Sequence, residues 1–164
     1  IISDVDGKKY CVRERSKLSL AADRLATVNQ KLTKLVNHCK KEFPERENVI
    51  RLVNGYNPKK ISETLPTSEF TAFSENKGEK LAFCLNTEKN GNNLIDPNTL
   101  TFVAIHELAH IATHSIGHKD EFWSNFKFLL GEAAKIQIYN QTDYKKTPVR
   151  YCGMNITDNP YYDS

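Results

Sequence analysis

The chain has 164 residues, 39% hydrophobic and 26% charged, which suits one folded domain with its own core and excludes collagen, coiled coil and intrinsic disorder. Apolar runs such as 81–85 and 102–105 fall far short of the roughly 20 residues of a membrane span, so no such helix is expected. With 23 basic and 20 acidic side chains, the net charge of +3 permits nucleic acid as a partner without implying it.

In chain order, Asp6-Gly7 ahead of residues 8–13 reads as a turn and a short strand within an N-terminal arm over 1–16. Leu18, Leu20, Ala21, Leu25, Val28, Leu32, Leu35 and Val36 then recur at helical spacing until Pro44 bars continuation, which predicts a long first helix. Residues 47–56 predict a second helical stretch of a turn or two. Phe70, Ala72 and Phe73, then Leu81, Phe83 and Leu85, flank the turn cluster 75–78 and predict a β-hairpin. Asp96-Pro97 joins an N-cap to a proline at the first helical position, so a helix should start there and run to about Thr113, ending near Gly117. After His118, Phe122, Trp123, Phe126, Leu129, Leu130 and Ala133 trace the stripe of another helix, with Trp123 and Phe126 expected in the core. Residues 137–164 are Tyr-rich and read as irregular.

Cys11, Cys39, Cys84 and Cys152 are widely separated and form no C-x-x-C pair, which predicts four free thiols. The chain begins Ile-Ile rather than Met, so an upstream segment is expected to be missing. An intracellular setting (nucleus, cytoplasm or virion) is expected over secretion, and the sequons at Asn140 and Asn155 would matter only in a secreted chain.

Four of the five histidines, His106, His110, His114 and His118, fall within thirteen residues. Residues 106–110 form H-E-x-x-H inside a predicted helix, the context this motif requires before it signifies zinc. Four residues apart, His106 and His110 differ by about 40° in angle and about 6 Å in rise, so both imidazoles can lean toward one Zn2+. On a straight helix His114 would lie about 12 Å in rise from His106, too far for a shared ion. His118 escapes that limit, because residues 115–117 let the helix end and the chain turn back. The expected metal ligands are therefore His106, His110 and His118, with His114 an exposed or supporting residue. Glu107, rotated about 100° from His106, should contact water rather than metal and act as general base and acid. Tyr151 and Tyr144 are candidates to stabilise the developing oxyanion.

At these residues the sequence resembles a known family. His106 to His110 followed by Gly117-His118-Lys119-Asp120-Glu121-Phe122-Trp123 is similar to the WLM and SprT-like (Spartan-type) metalloproteases. Those zincins share the H-E-x-x-H helix and a third histidine, followed in WLM members by an aromatic pair. The likeness covers 103–123 well, and assigns the two helix ligands to His106 and His110, the base to Glu107 and the third ligand to His118. Residues 78–84, 98–111 and 151–154 further resemble metallopeptidases of large DNA viruses. One departure is the spacing: seven residues separate His110 from His118, where many relatives have five, so the turn must differ. The resemblance implies a protease of DNA-crosslinked proteins. The basic pairs Lys40-Lys41, Lys59-Lys60 and Lys145-Lys146 could touch phosphates, yet are scattered and read as solvated surface.

The expected fold is an α+β zincin: a small twisted sheet with an edge hairpin, a long N-terminal helix, the zinc helix, and a further helix that places His118. A protein or peptide substrate could add to the sheet edge along 81–86, making Leu81, Phe83, Leu85 and Tyr151 the substrate-contact candidates. Met154 invites comparison with a Met-turn but is more simply a core residue. Asp120 and Glu121 could orient an imidazole or serve the helix dipole. The competing functional class is a non-catalytic protein- or DNA-binding module that zinc merely stabilises; a zinc hydrolase of non-peptide amides is a second alternative.

Overall fold

The first apolar stripe forms one helix, α1 (Leu18–Glu42), in the computed structural model, which describes residues 1–13, 18–64, 72–75, 80–88, 93–115 and 117–162. Its buried face carries Leu25, Val28, Leu32, Leu35 and Val36, whereas Leu20 is exposed, one position off the stripe. A second helix, α2 (Glu47–Gly55), follows Pro44 and buries Val49 and Leu52.

Among the described residues, three short strands make the main sheet: β1 (Ile61–Glu63), β2 (Ala72–Glu75) and β3 (Lys80–Phe83), in the order β1-β3-β2. The expected hairpin is β2 antiparallel to β3, with Ala72 opposite Phe83 and Glu75 opposite Lys80; the tip at 76–79 and Phe70 lie outside the described residues. β1 pairs with β3 in parallel, so β3 is the central strand and has no free edge for a substrate. Leu81, Phe83 and Leu85 are fully buried in the core between sheet and helices, which corrects their assignment as substrate contacts. The N-terminal arm makes no continuous strand; Ile2 bridges Lys9 and Cys11 bridges Ser62, while residues 14–17 lie outside the described set.

Helix α3 (Pro97–Ala112) starts where the sequence marks it. The Asp96 carboxylate accepts the Thr99 amide at 2.8 Å, a cap that contributes about 1 kcal/mol. From Thr99 to Ala112 only His106 and His110 escape burial, because α1, α2 and α4 (Asp120–Lys135) all pack around this helix. A helix apolar on nearly every side belongs in the interior, so any polar residue it shows outward marks a site. No helix among the described residues is long and apolar enough to cross a membrane.

The C-terminal segment is not irregular throughout. It holds a hairpin, β4 (Val149–Tyr151) antiparallel to β5 (Met154–Ile156), turned by Cys152 (φ 49°) and Gly153 (φ 80°). Strands of three residues are too short to show alternation, and Cys-Gly is a weak hairpin signal compared with Asn-Gly. The turn's two amides donate to the carbonyls of Asn86 and Thr87, each at 2.9 Å, and Arg150 pairs with Glu88 at 2.6 Å. These contacts dock the hairpin on the chain leaving β3.

The same docking joins Cys84 to Cys152 in a disulfide across 68 residues of sequence, with Cα atoms 6.1 Å apart, which overturns the expectation of four free thiols. Spacing could not show it, since only folding brings the end of β3 to the hairpin turn. Cys11 is exposed; Cys39 is buried, and burial pushes its thiol up to about 12, so it is unreactive. Thiol titration is expected to find one reactive group in the native protein, two after denaturation and four after reduction. Reduction of so long a loop should cost about 4 kcal/mol, read as a lowered unfolding midpoint.

Candidate metal centre

Helix α3 carries His106 and His110 on one face, and the geometry of its end decides what joins them. It stops at Ala112 because neighbouring side chains take over the hydrogen bonds of its last turn. Arg51 Nε of α2 donates to the Ala112 carbonyl at 2.8 Å, and Thr113 Oγ1 donates to the Ala109 carbonyl at 2.6 Å. Asn125 of α4 donates to Thr113 Oγ1 at 2.9 Å and accepts from Asn48 of α2 at 3.0 Å. Helices α2 and α4 thus share one buried polar web that terminates α3.

Beyond it the chain reverses. Gly117 adopts φ +90°, a conformation unfavourable to side chains with a Cβ. Glu121 accepts from the Ser115 amide and hydroxyl at 3.0 and 3.1 Å, and the amide bond leads the effects that hold its carboxyl below the usual carboxylate range. The Trp123 indole donates to the His118 carbonyl at 3.0 Å. Trp123 is 42% exposed, so it is not the core residue its place on the stripe suggested; it fastens the turn that presents His118. Phe126 is buried as expected.

This turn brings His118 to the helix histidines. One ring nitrogen from each of His106, His110 and His118 lies within 4.8 Å of the others. Ring centroids are 5.0 Å apart for 106 and 110, 5.2 Å for 106 and 118, and 4.8 Å for 110 and 118. The fully buried Phe122 touches all three rings, at 5.0, 4.3 and 4.8 Å respectively from His106, His110 and His118. It forms the apolar wall that limits where the imidazoles can rotate. Partial burial, and secondly the neighbouring His106, hold the His118 pKa below the ordinary histidine value, which favours the neutral form that ligates a metal. Three imidazole nitrogens converging from a helix and a turn form a donor set that suits zinc.

Glu107 is outside this group of nitrogens, as its rotation around the helix requires. It is buried, with Oε2 meeting His106 Nδ1 at 2.9 Å, so its contact in the structure is a ligand candidate's ring. His114 is exposed and lies apart, lining a shallow depression with Arg51 and Thr113. Tyr151 is buried beside His106 and Glu107, and burial raises its phenol well above the ordinary value, so it is a neutral donor. Tyr144 is enclosed against Phe102 at 4.8 Å. Met154 is 52% exposed at the rim of the same cleft, not in the core. The residues that sequence reasoning passed over are Arg51 and Asn125, whereas Phe122, read there as part of an apolar stripe and of the family's aromatic pair, proves to touch all three imidazoles. Phe122 carried one signal, its place four residues after His118.

Gly117→Ala tests the turn. A Cβ there meets nothing within 4 Å, so the strain is in the backbone alone. The substitution should cost about 1 kcal/mol and weaken zinc binding, with Gly117→Asn milder, measured by thermal melting and metal titration.

A helix bearing two histidines, closed by a turn that returns a third, is the arrangement the sequence likeness anticipated, and comparison with known proteins gives its family. The WLM domain matches residues 46–161, and the chain belongs to that family. It is 30% identical over 160 residues to the uncharacterized protein R325 of Acanthamoeba polyphaga mimivirus, covering 95% of this chain and 81% of that protein. It is 35% identical over 82 residues to the uncharacterized protein 136R of Invertebrate iridescent virus 6, covering 49% of this chain and 44% of that one. These relatives tie it to WLM-like proteins of large DNA viruses. The α+β fold is shared with the crystal structure of Wss1 from Saccharomyces cerevisiae, at a TM-score of 0.58 and 17% identity, over 79% of this chain and 90% of that one.

Proposed function

We propose that the chain is a zinc-dependent peptidase in which His106, His110 and His118 hold the metal and Glu107 moves the proton. The observation that carries this reading is the convergence of three histidine nitrogens within 4.8 Å, with a buried carboxylate at the edge of the group. Bound zinc supplies Lewis acidity, lowering the pKa of water to about 7 and polarising a carbonyl. The rest is work for the protein's own side chains. Glu107 accepts the proton of the attacking water at its carboxylate and returns it to the leaving amine. Phe122 fixes the ligand rings, and the neutral Tyr151 hydroxyl is the nearby candidate donor to the developing oxyanion.

The family resemblance extends the proposal to DNA-bound or DNA-crosslinked proteins as substrates; toward DNA the described surface offers the separated, exposed lysine pairs Lys8-Lys9, Lys40-Lys41, Lys59-Lys60 and Lys145-Lys146. The test is digestion of a denatured protein and of a DNA-bound basic protein, each with and without DNA. Cleavage should be lost with a chelator and restored by zinc. Hydrolysis that survives metal removal would reject the metallopeptidase reading, and rates indifferent to DNA would reject the DNA-bound substrate.

A further inference from the structure

Beside the metal centre lies a cleft of about 230 Å³ lined by Phe102, Val103, His106 and Glu107 of α3 and by Tyr151, Met154 and Ile156 of the hairpin. We propose that this cleft is the specificity pocket of the enzyme and takes an apolar side chain next to the scissile bond; this rests on the peptidase reading. Phe102 precedes His106 by one helical turn and Val103 precedes Glu107 by one turn, so an apolar pair and a catalytic pair share one helix face. The offset is about 6 Å, and an extended substrate advances about 3.4 Å per residue. A peptide carbonyl at Glu107 therefore places a side chain one or two residues away over Phe102 and Val103.

The opposite wall has the same character. Met154 and Ile156 alternate with Asn155 along β5 and so share a face, while Tyr151 is the cross-strand partner of Met154. Phe102, Val103 and Tyr151 are buried, and among the described residues the lining includes no Lys or Arg. Glu107, the one carboxylate among the described lining residues, meets His106 and repels acidic side chains. An acidic side chain entering this cleft loses water and meets the like charge of Glu107, whereas Leu, Met or Phe exchanges water for apolar surface. The docking of the hairpin on Asn86 and Thr87 keeps the two walls in register with the metal centre.

The experiment uses the zinc-loaded protein and quenched-fluorescence peptides that vary the residues flanking one cleavable bond among Leu, Phe, Gly, Lys and Asp. Leu or Phe at one flanking position should raise kcat/KM about 10- to 100-fold over Gly and Asp. The uncleaved Leu peptide should bind Glu107→Gln protein at least 10-fold more tightly than the Asp peptide by fluorescence anisotropy. Met154→Asp, on an exposed rim position, should keep zinc content and folding yet cut the Leu preference and favour Lys. Cleavage without side-chain preference, a Lys or Asp preference in the unmodified protein, or a Leu preference indifferent to Met154→Asp would overturn the pocket while leaving the peptidase standing. Cleavage of no peptide at all would reject the peptidase reading, and the pocket with it.

Discussion

Glu107→Gln is expected to lower peptide hydrolysis by about 10³- to 10⁴-fold while zinc content and melting temperature stay near those of the unmodified protein. The reasoning is one of shape against proton affinity. Glutamine preserves the volume of a side chain that is 5% exposed among Phe102, Val103 and Tyr151, and its amide can still meet His106 Nδ1, where Glu107 Oε2 stands at 2.9 Å. What it loses is the ability to take a proton from water. Since that transfer belongs to the transition state, kcat should fall while KM changes little. Glu107→Ala is the useful contrast, because it also opens a cavity and frees the His106 ring, so it should lose stability and some metal as well. A Gln variant that still cleaves would move the base to another residue.

Much of the site was legible because helix geometry constrains it tightly. On a straight helix a strict rise per residue would hold His114 about 12 Å from His106; in the structure α3 ends at Ala112 and His114 lies exposed beyond it. Asp96-Pro97 marked the start of α3 because a cap and a fixed φ are local devices, independent of the rest of the chain. Features that depend on the meeting of distant segments could not be read this way. Cys84 and Cys152 carry no spacing signal for their bond, and β1, three residues long, gave no hint that it would occupy the second side of β3. That pairing is what turned Leu81, Phe83 and Leu85 from candidate substrate contacts into core. Trp123 shows a subtler limit: an apolar stripe predicts burial, yet the indole has a polar edge that is satisfied at the surface by the His118 carbonyl.

Removing the histidines one at a time should separate ligands from bystanders. His106→Ala, His110→Ala and His118→Ala are each expected to reduce bound zinc from about one per chain to a small fraction and to abolish hydrolysis, whereas His114→Ala should keep both. The ordering within the first three follows from their surroundings. His106 packs against Phe122 and Phe126 and meets Glu107, so its loss also strands a buried carboxylate without its partner and should lower the melting temperature. His118 is exposed and sits on a turn held by Glu121 and Trp123, so its removal should leave the fold intact and act on the metal alone. Metal analysis together with thermal melting distinguishes the two effects. Zinc retained by His118→Ala would mean that the turn after α3 does not serve the metal, and the strained Gly117, the Glu121 contacts and the Trp123 hydrogen bond would then need another explanation.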